Sequence, residues 1–170
     1  TPCVSVVSRR GELVVIDAGN GLRNLGASLG AAKSAPAPRI SVLLTHFHLD
    51  HIGGLPFFGP LYSPETRFTF YAAHDPAETR KRLNRLMGRP YFPLGLEETP
   101  AIKAFRKIGL NGVRIGGLRV SACPVRHPQG AVAFRIAEGR SSFVYATDSE
   151  PDGPGAIDPR LVKFAAGADA

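Results

Sequence analysis

The sequence predicts an α/β protein. Short runs of Val, Ile and Leu recur along the chain, helical patterns fall between some of them, and a dense histidine–aspartate cluster stands where one run ends. "VSVVS" and "ELVVIDAG" flank "RRG" and read as a hairpin of two short strands. Asn20 then stands where a helix cap belongs, and Leu22, Leu25 and Leu29 fall on one side of the helix that follows. "SAPAP" is a loop, and "RISVLLT" is an almost wholly apolar strand of the kind buried on both faces. The cluster "THFHLDHIGG" comes next, its glycine pair leading into a short helix. "TRFTFYA" is another strand, "DPAETRKRLNRLM" a helix opened by Pro76, and "GRPYFPLGLEETP" a proline-rich loop. Three strands, "GLRVSACPV", "AVAFRIA" and "SSFVYAT", precede a closing helix in "DPRLVKFAAG". No repeat or linker divides the 170 residues, so a single domain over 1–170 is expected. Both ends read as cut from something longer: the chain begins at Thr1, its only methionine is Met87, and "FAAGADA" stops where a further strand belongs.

A hydrophobic content of 44% suits a globular core. No apolar run approaches the roughly 18 residues of a membrane span. Cys3 and Cys123 form neither a disulfide framework nor a CxxC site, and as core or strand thiols they point to a reducing, cytoplasmic compartment. The net charge of +7 suits an anionic partner such as a phosphate ester or nucleic acid. The one dense basic run, "RKRLNR" at Arg80–Arg85, lacks interleaved aromatics and reads as a solvated helix face.

Three of the five histidines lie within "HFHLDH". Protonated, they would repel one another; a bound cation gives such crowding a purpose. His46 and His48 alternate as the chain leaves a strand, so both imidazoles can point to one side. Asp50 and His51 follow where the chain turns and approach from another direction. This suits two adjacent metal sites, one using His46 and His48, the other Asp50 and His51, with ligands that favour zinc and also accept iron or manganese. Downstream, His127 lies in a turn between two strands as a further histidine ligand. Asp148 stands just past a strand, where its two oxygens could bridge two metals. Asp17, at the end of "VVID", can accept the outer N–H of a ligand imidazole or simply form a turn.

In this order and on these strand ends, H-F-H-L-D-H, His127 and Asp148 resemble the metallo-β-lactamase superfamily. "VVIDAGNGLRNLG" and "YATDSEP" are similar to its phosphodiesterase and ribonuclease Z-like branch. The resemblance implies an αββα four-layer sandwich with a dinuclear site, usually zinc, at one edge of the paired sheets. His46, His48 and His127 would hold one metal, Asp50 and His51 the other, with Asp148 bridging. The family normally adds a last histidine to the second metal, and none follows His127 here. Either the C-terminal segment is absent or the second site is weak, and the missing closing strand favours absence. The implied reaction is hydrolysis by a water whose pKa two metals about 3.5–4 Å apart lower towards 7, with Asp50 also orienting the hydroxide.

A small anionic phosphodiester is the first expected substrate. The alternatives are a ribonuclease Z-like enzyme acting on RNA at tRNA 3′ ends, a thioester, lactone or β-lactam hydrolase, an iron oxidoreductase, and a metal-binding domain without turnover. The resemblance also admits a homodimer. His74 reads as a capping or loop residue. "GASLG" mimics a serine-hydrolase elbow, but Ser28 lies late in a helical pattern with Gly30 as its stop, so it is not expected to be a nucleophile. "GNGLRN" falls short of a dinucleotide fingerprint because Asn24 replaces the third glycine.

Overall fold

Short strands build two sheets. The computed structural model describes residues 2–31, 38–150, 153 and 156–170. The first sheet contains β1 (Val4–Val7), β2 (Leu13–Ile16), β3 (Arg39–Leu43), β4 (Arg67–Ala72) and β5 (Ile102–Lys107), hydrogen-bonded in that order. β1 and β2 form the expected antiparallel hairpin, with Val4 opposite Ile16. β2 to β5 are parallel, with Ile16 opposite Leu43 and Leu43 opposite Tyr71. Parallel neighbours need crossovers. These carry α1 (Gly21–Ala31), the four-residue α2 (Leu49–Ile52) and α3 (Pro76–Leu86). The second sheet, β6 (Val113–Ile115), β7 (Leu118–Val125), β8 (Ala131–Glu138) and β9 (Ser141–Tyr145), is antiparallel throughout. α4 (Pro159–Ala165) follows it.

The period-2 alternation of strands assigns the layers. All four residues of β2 are buried: Leu13 and Val15 face the helical side, whereas Val14 and Ile16 face the second sheet. Leu43 and Tyr71 join them against Leu118, Val120, Val132, Phe134 and Ile136. Leu22 of α1 and Leu83 of α3 pack on Ile40, Val42, Phe68 and Phe70. On the far side, Leu161 and Phe164 of α4 cover Val125, Ala131 and Ala133. The layers therefore run helix, sheet, sheet, helix, the αββα order that the resemblance implies.

The structure departs from the sequence reading in places. β5 and β6 were not expected: "IKAFRK" carries three cations on a half-exposed edge strand, and β6 is three residues long. The short helix of the motif precedes the glycine pair, and a 3₁₀ turn (Leu55–Phe57) follows it. Gly54 serves close approach instead: its N–H donates to Ala18 O at 2.8 Å, and a Cβ there would lie 2.1 Å from Gly19 O. α1 continues one residue past Gly30. The "SAPAP" loop lies outside the described residues except for Pro38. Among the described residues no helix is long and apolar enough to cross a membrane.

Candidate metal centre

β3 delivers the motif to one edge of the sandwich. Beyond Leu43, Leu44 N–H still bonds Tyr71 O at 2.9 Å, so the backbone stays anchored up to the first histidine. α2 then turns Asp50 and His51 back towards His46, and Ala18 N–H holds His51 O at 2.6 Å. From the second sheet, the β7–β8 turn supplies His127, and Asp148 follows β9. Val132 N–H donates to Thr45 O at 3.1 Å and ties the two sheets together at this edge.

All six sequence-predicted residues come together. His46, His48, His127 and Asp148 form one group, and Asp50, His51 and Asp148 a second; within each, one ligand atom per residue lies within 4.8 Å of the others. Asp148 belongs to both. Its Oδ2 is 3.0 Å from His51 Nε2, 3.4 Å from His46 Nε2 and 3.8 Å from His127 Nε2. His127 Nε2 lies 3.0 Å from His48 Nδ1, and Asp50 Oδ2 lies 3.4 Å from His51 Nε2.

Each imidazole is held by its outer nitrogen. His46 Nδ1 meets Thr45 Oγ1 at 3.0 Å, His48 Nε2 meets Gln129 Oε1 at 2.8 Å, His51 Nδ1 meets Asp17 Oδ2 at 2.8 Å, and His127 Nδ1 meets Glu150 Oε1 at 3.0 Å. The inner His46 Nε2 and His51 Nε2 are buried with no hydrogen-bond partner. A buried nitrogen without a partner is costly unless something else satisfies it. Imidazoles fixed from outside, with their inner nitrogens facing a carboxylate, fit a cation.

The electrostatics agree. Burial first, and then the neighbouring imidazoles of His51, His48 and His127, push the His46 pKa down to about 4, so its ring is neutral and can act as a ligand at pH 7. Burial also works against a charged His51, but the hydrogen bond to Asp17 and the surrounding carboxylates outweigh it and raise its pKa. Asp17 is fully buried and its pKa is raised by that burial, against the hydrogen bonds it accepts from His51 and Thr45. Among the described residues three non-glycine residues have left-handed backbone, Asp17 (φ 57°), Gln129 (φ 65°) and Asp148 (φ 50°), and all three serve this centre. Such strain persists where surrounding contacts over-determine it.

Sequence reasoning found Asp17 but missed Thr45, Gln129 and Glu150. Their one local signal is adjacency, since each lies within two residues of a candidate ligand. Gln129→Gly relieves the left-handed backbone while removing the acceptor from His48. It is expected to leave stability unchanged or slightly raised and to weaken metal affinity about 10–100-fold, as read by chelator competition.

Two other residues lie elsewhere. Ser28 Oγ donates to Asn24 O at 3.1 Å within α1. His74 is more than a loop residue: its Nε2 lies 3.1 Å from Arg82 Nη1, and its ring stands edge-on to Phe47 at 5.3 Å. It buttresses the residue between His46 and His48.

A sequence profile of the beta-lactamase superfamily domain matches residues 12–169. The chain belongs to the metallo-β-lactamase superfamily. Solved structures of this fold include a diphosphatase of the PhnP family, at 23% identity and TM-score 0.60 over 89% of this chain and 54% of that one. YhfI from Bacillus subtilis, a metallo-β-lactamase fold protein, matches at 20% and 0.60 over 90% and 55%. The short form of human tRNase Z matches at 17% and 0.63 over 98% and 68%. The chain thus spans about half the length of the first two superfamily members. A search of curated proteins gave no match.

Proposed function

We propose that this chain is a metal-dependent hydrolase of phosphodiesters, acting as one domain with two zinc ions. The observation that carries the reading is Asp148, shared by two groups of ligand atoms whose histidines are all held from outside. Imidazole and carboxylate without thiolate suit zinc and accept manganese or iron. A net charge of +7 favours an anionic substrate, and fold neighbours named diphosphatase and tRNase Z support chemistry at phosphorus over acyl transfer.

His46, His48 and His127 would hold one ion, Asp50 and His51 the other, and Asp148 both. Bound there, such ions lower the pKa of water towards about 7 and polarise a phosphoryl oxygen. Thr45, Gln129, Asp17 and Glu150 take the outer N–H of the four imidazoles, which leaves each inner nitrogen its lone pair. Asp50, with its side chain 59% exposed, lies on the open side, where it orients the attacking water and accepts its proton.

Elemental analysis followed by assay with bis(4-nitrophenyl) phosphate tests the reading. About two zinc per chain are expected, with hydrolysis lost to a chelator and restored by zinc. Metal bound without hydrolysis of this ester or of cyclic nucleotides would mark a metal-binding domain without turnover.

A further inference from the structure

The basic run Arg80–Arg85 gains in the fold the aromatic it lacks in sequence. Tyr91, from the loop after α3, lines a groove of about 600 Å³ together with Lys81, Asn84, Arg85 and Arg89. The residue is 89% exposed, and among the described residues its ring contacts no other ring. The charges around it are uneven. Arg80 is neutralised by two hydrogen bonds to Glu97, at 2.9 and 2.7 Å, and Arg82 by Glu78 at 2.8 Å. Lys81, Arg85 and Arg89 have no carboxylate within ion-pairing distance among the described residues; Arg89 gives one N–H to Pro93 O at 3.3 Å. Three cations without a direct ion pair therefore line the groove beside an open aromatic face.

Two residues beside the groove, Arg82 and Phe92, contact residues next to the metal centre. Arg82 shares a side of α3 with Arg85 at i, i+3 spacing. Its guanidinium sits 5.0 Å from the centroid of Phe47, between His46 and His48. Phe92, next to Tyr91, meets Phe57 edge-on at 6.0 Å. Phe57 is 60% exposed, in the 3₁₀ turn directly after the motif's glycine pair.

We propose that this groove binds single-stranded nucleic acid, stacking a base on Tyr91 and holding backbone phosphates on Lys81, Arg85 and Arg89, and leads the strand past Phe57 to the metal centre. That the bound strand is the substrate rests on the phosphodiester reading; that it binds does not. Cations lining a groove and a bare ring to stack on are the two elements of sequence-tolerant single-strand recognition. An anionic membrane would use the charges but has no need of a groove.

The test is fluorescence anisotropy of a short fluorescein-labelled oligouridylate on the chain as purified. Tyr91→Ala is expected to weaken binding about tenfold, with Tyr91→Phe restoring it. The double change Arg85→Glu, Arg89→Glu is expected to reduce the slope of log affinity against log salt by about 1.4. The same charge change at Arg114 on β6 and Arg140 in the β8–β9 turn, both exposed, is expected to leave binding within about twofold. Equal losses from the two charge reversals would reduce the effect to net charge and overturn the proposal. So would full binding by Tyr91→Ala, or equal affinity for phosphatidylserine vesicles. A chain that binds the oligonucleotide through this groove but fails on bis(4-nitrophenyl) phosphate keeps the groove and loses the hydrolase reading.

Discussion

Asp148→Asn is expected to abolish metal-dependent hydrolysis while the chain stays folded. Asp148 is the carboxylate common to both ligand groups, with one oxygen 3.0 Å from His51 Nε2 and 3.4 Å from His46 Nε2. Asparagine keeps the shape and tolerates the left-handed backbone at φ 50°, but removes the charge that would offset the two proposed cations. Bound metal should fall from about two per chain to one or fewer. Activity should fall by at least the 10²–10³-fold typical of losing a single transition-state donor. Elemental analysis and steady-state kinetics, with circular dichroism as the folding control, read both. Unchanged metal and turnover would remove Asp148 from the centre.

Asp17→Ala is expected to be the most destabilising single change near the site. The carboxylate is fully buried and accepts Thr45 N–H at 2.8 Å, the Thr45 hydroxyl and His51 Nδ1–H at 2.8 Å. Alanine strands these donors and sits poorly at φ 57°. Removing one partner of a buried pair costs about 3–5 kcal/mol. Asp17→Asn retains an acceptor and should cost less, about 1–3 kcal/mol. Urea unfolding of the two variants separates these values. Metal affinity should fall about 10–100-fold in both, because His51 loses the charge that orients it. A stability loss with intact affinity would assign Asp17 to the fold alone.

What the sequence disclosed follows from the range of each signal. The hairpin, the buried strand β3 and the four candidate ligands of the motif were legible because their patterns are local: short apolar runs, and histidine crowding too dense for structural use; His127 and Asp148 were legible only from their places beside strands and from the family resemblance. β5 was hidden by its three cations, since an edge strand need not be apolar. Gln129 and Glu150 were hidden by distance: Gln129 stands 81 residues from the histidine it holds, and Glu150 stands 23 from its own. Tyr91 lies six residues beyond the basic run, and only the loop after α3 returns it to Lys81 and Arg85.

The candidate ligands are divided, with four carried by the first sheet and two by the second, and Phe134 and Leu43 pack between the sheets beneath them. Neither half of the sandwich holds a complete centre. On the hydrolase reading, the alignment of the two sheets is therefore itself part of the site. A misplacement of about 1 Å can cost 10²-fold in rate, so core substitutions that shift one sheet against the other are expected to cost chemistry well before they threaten the fold. The interior of this protein sets the geometry of its edge.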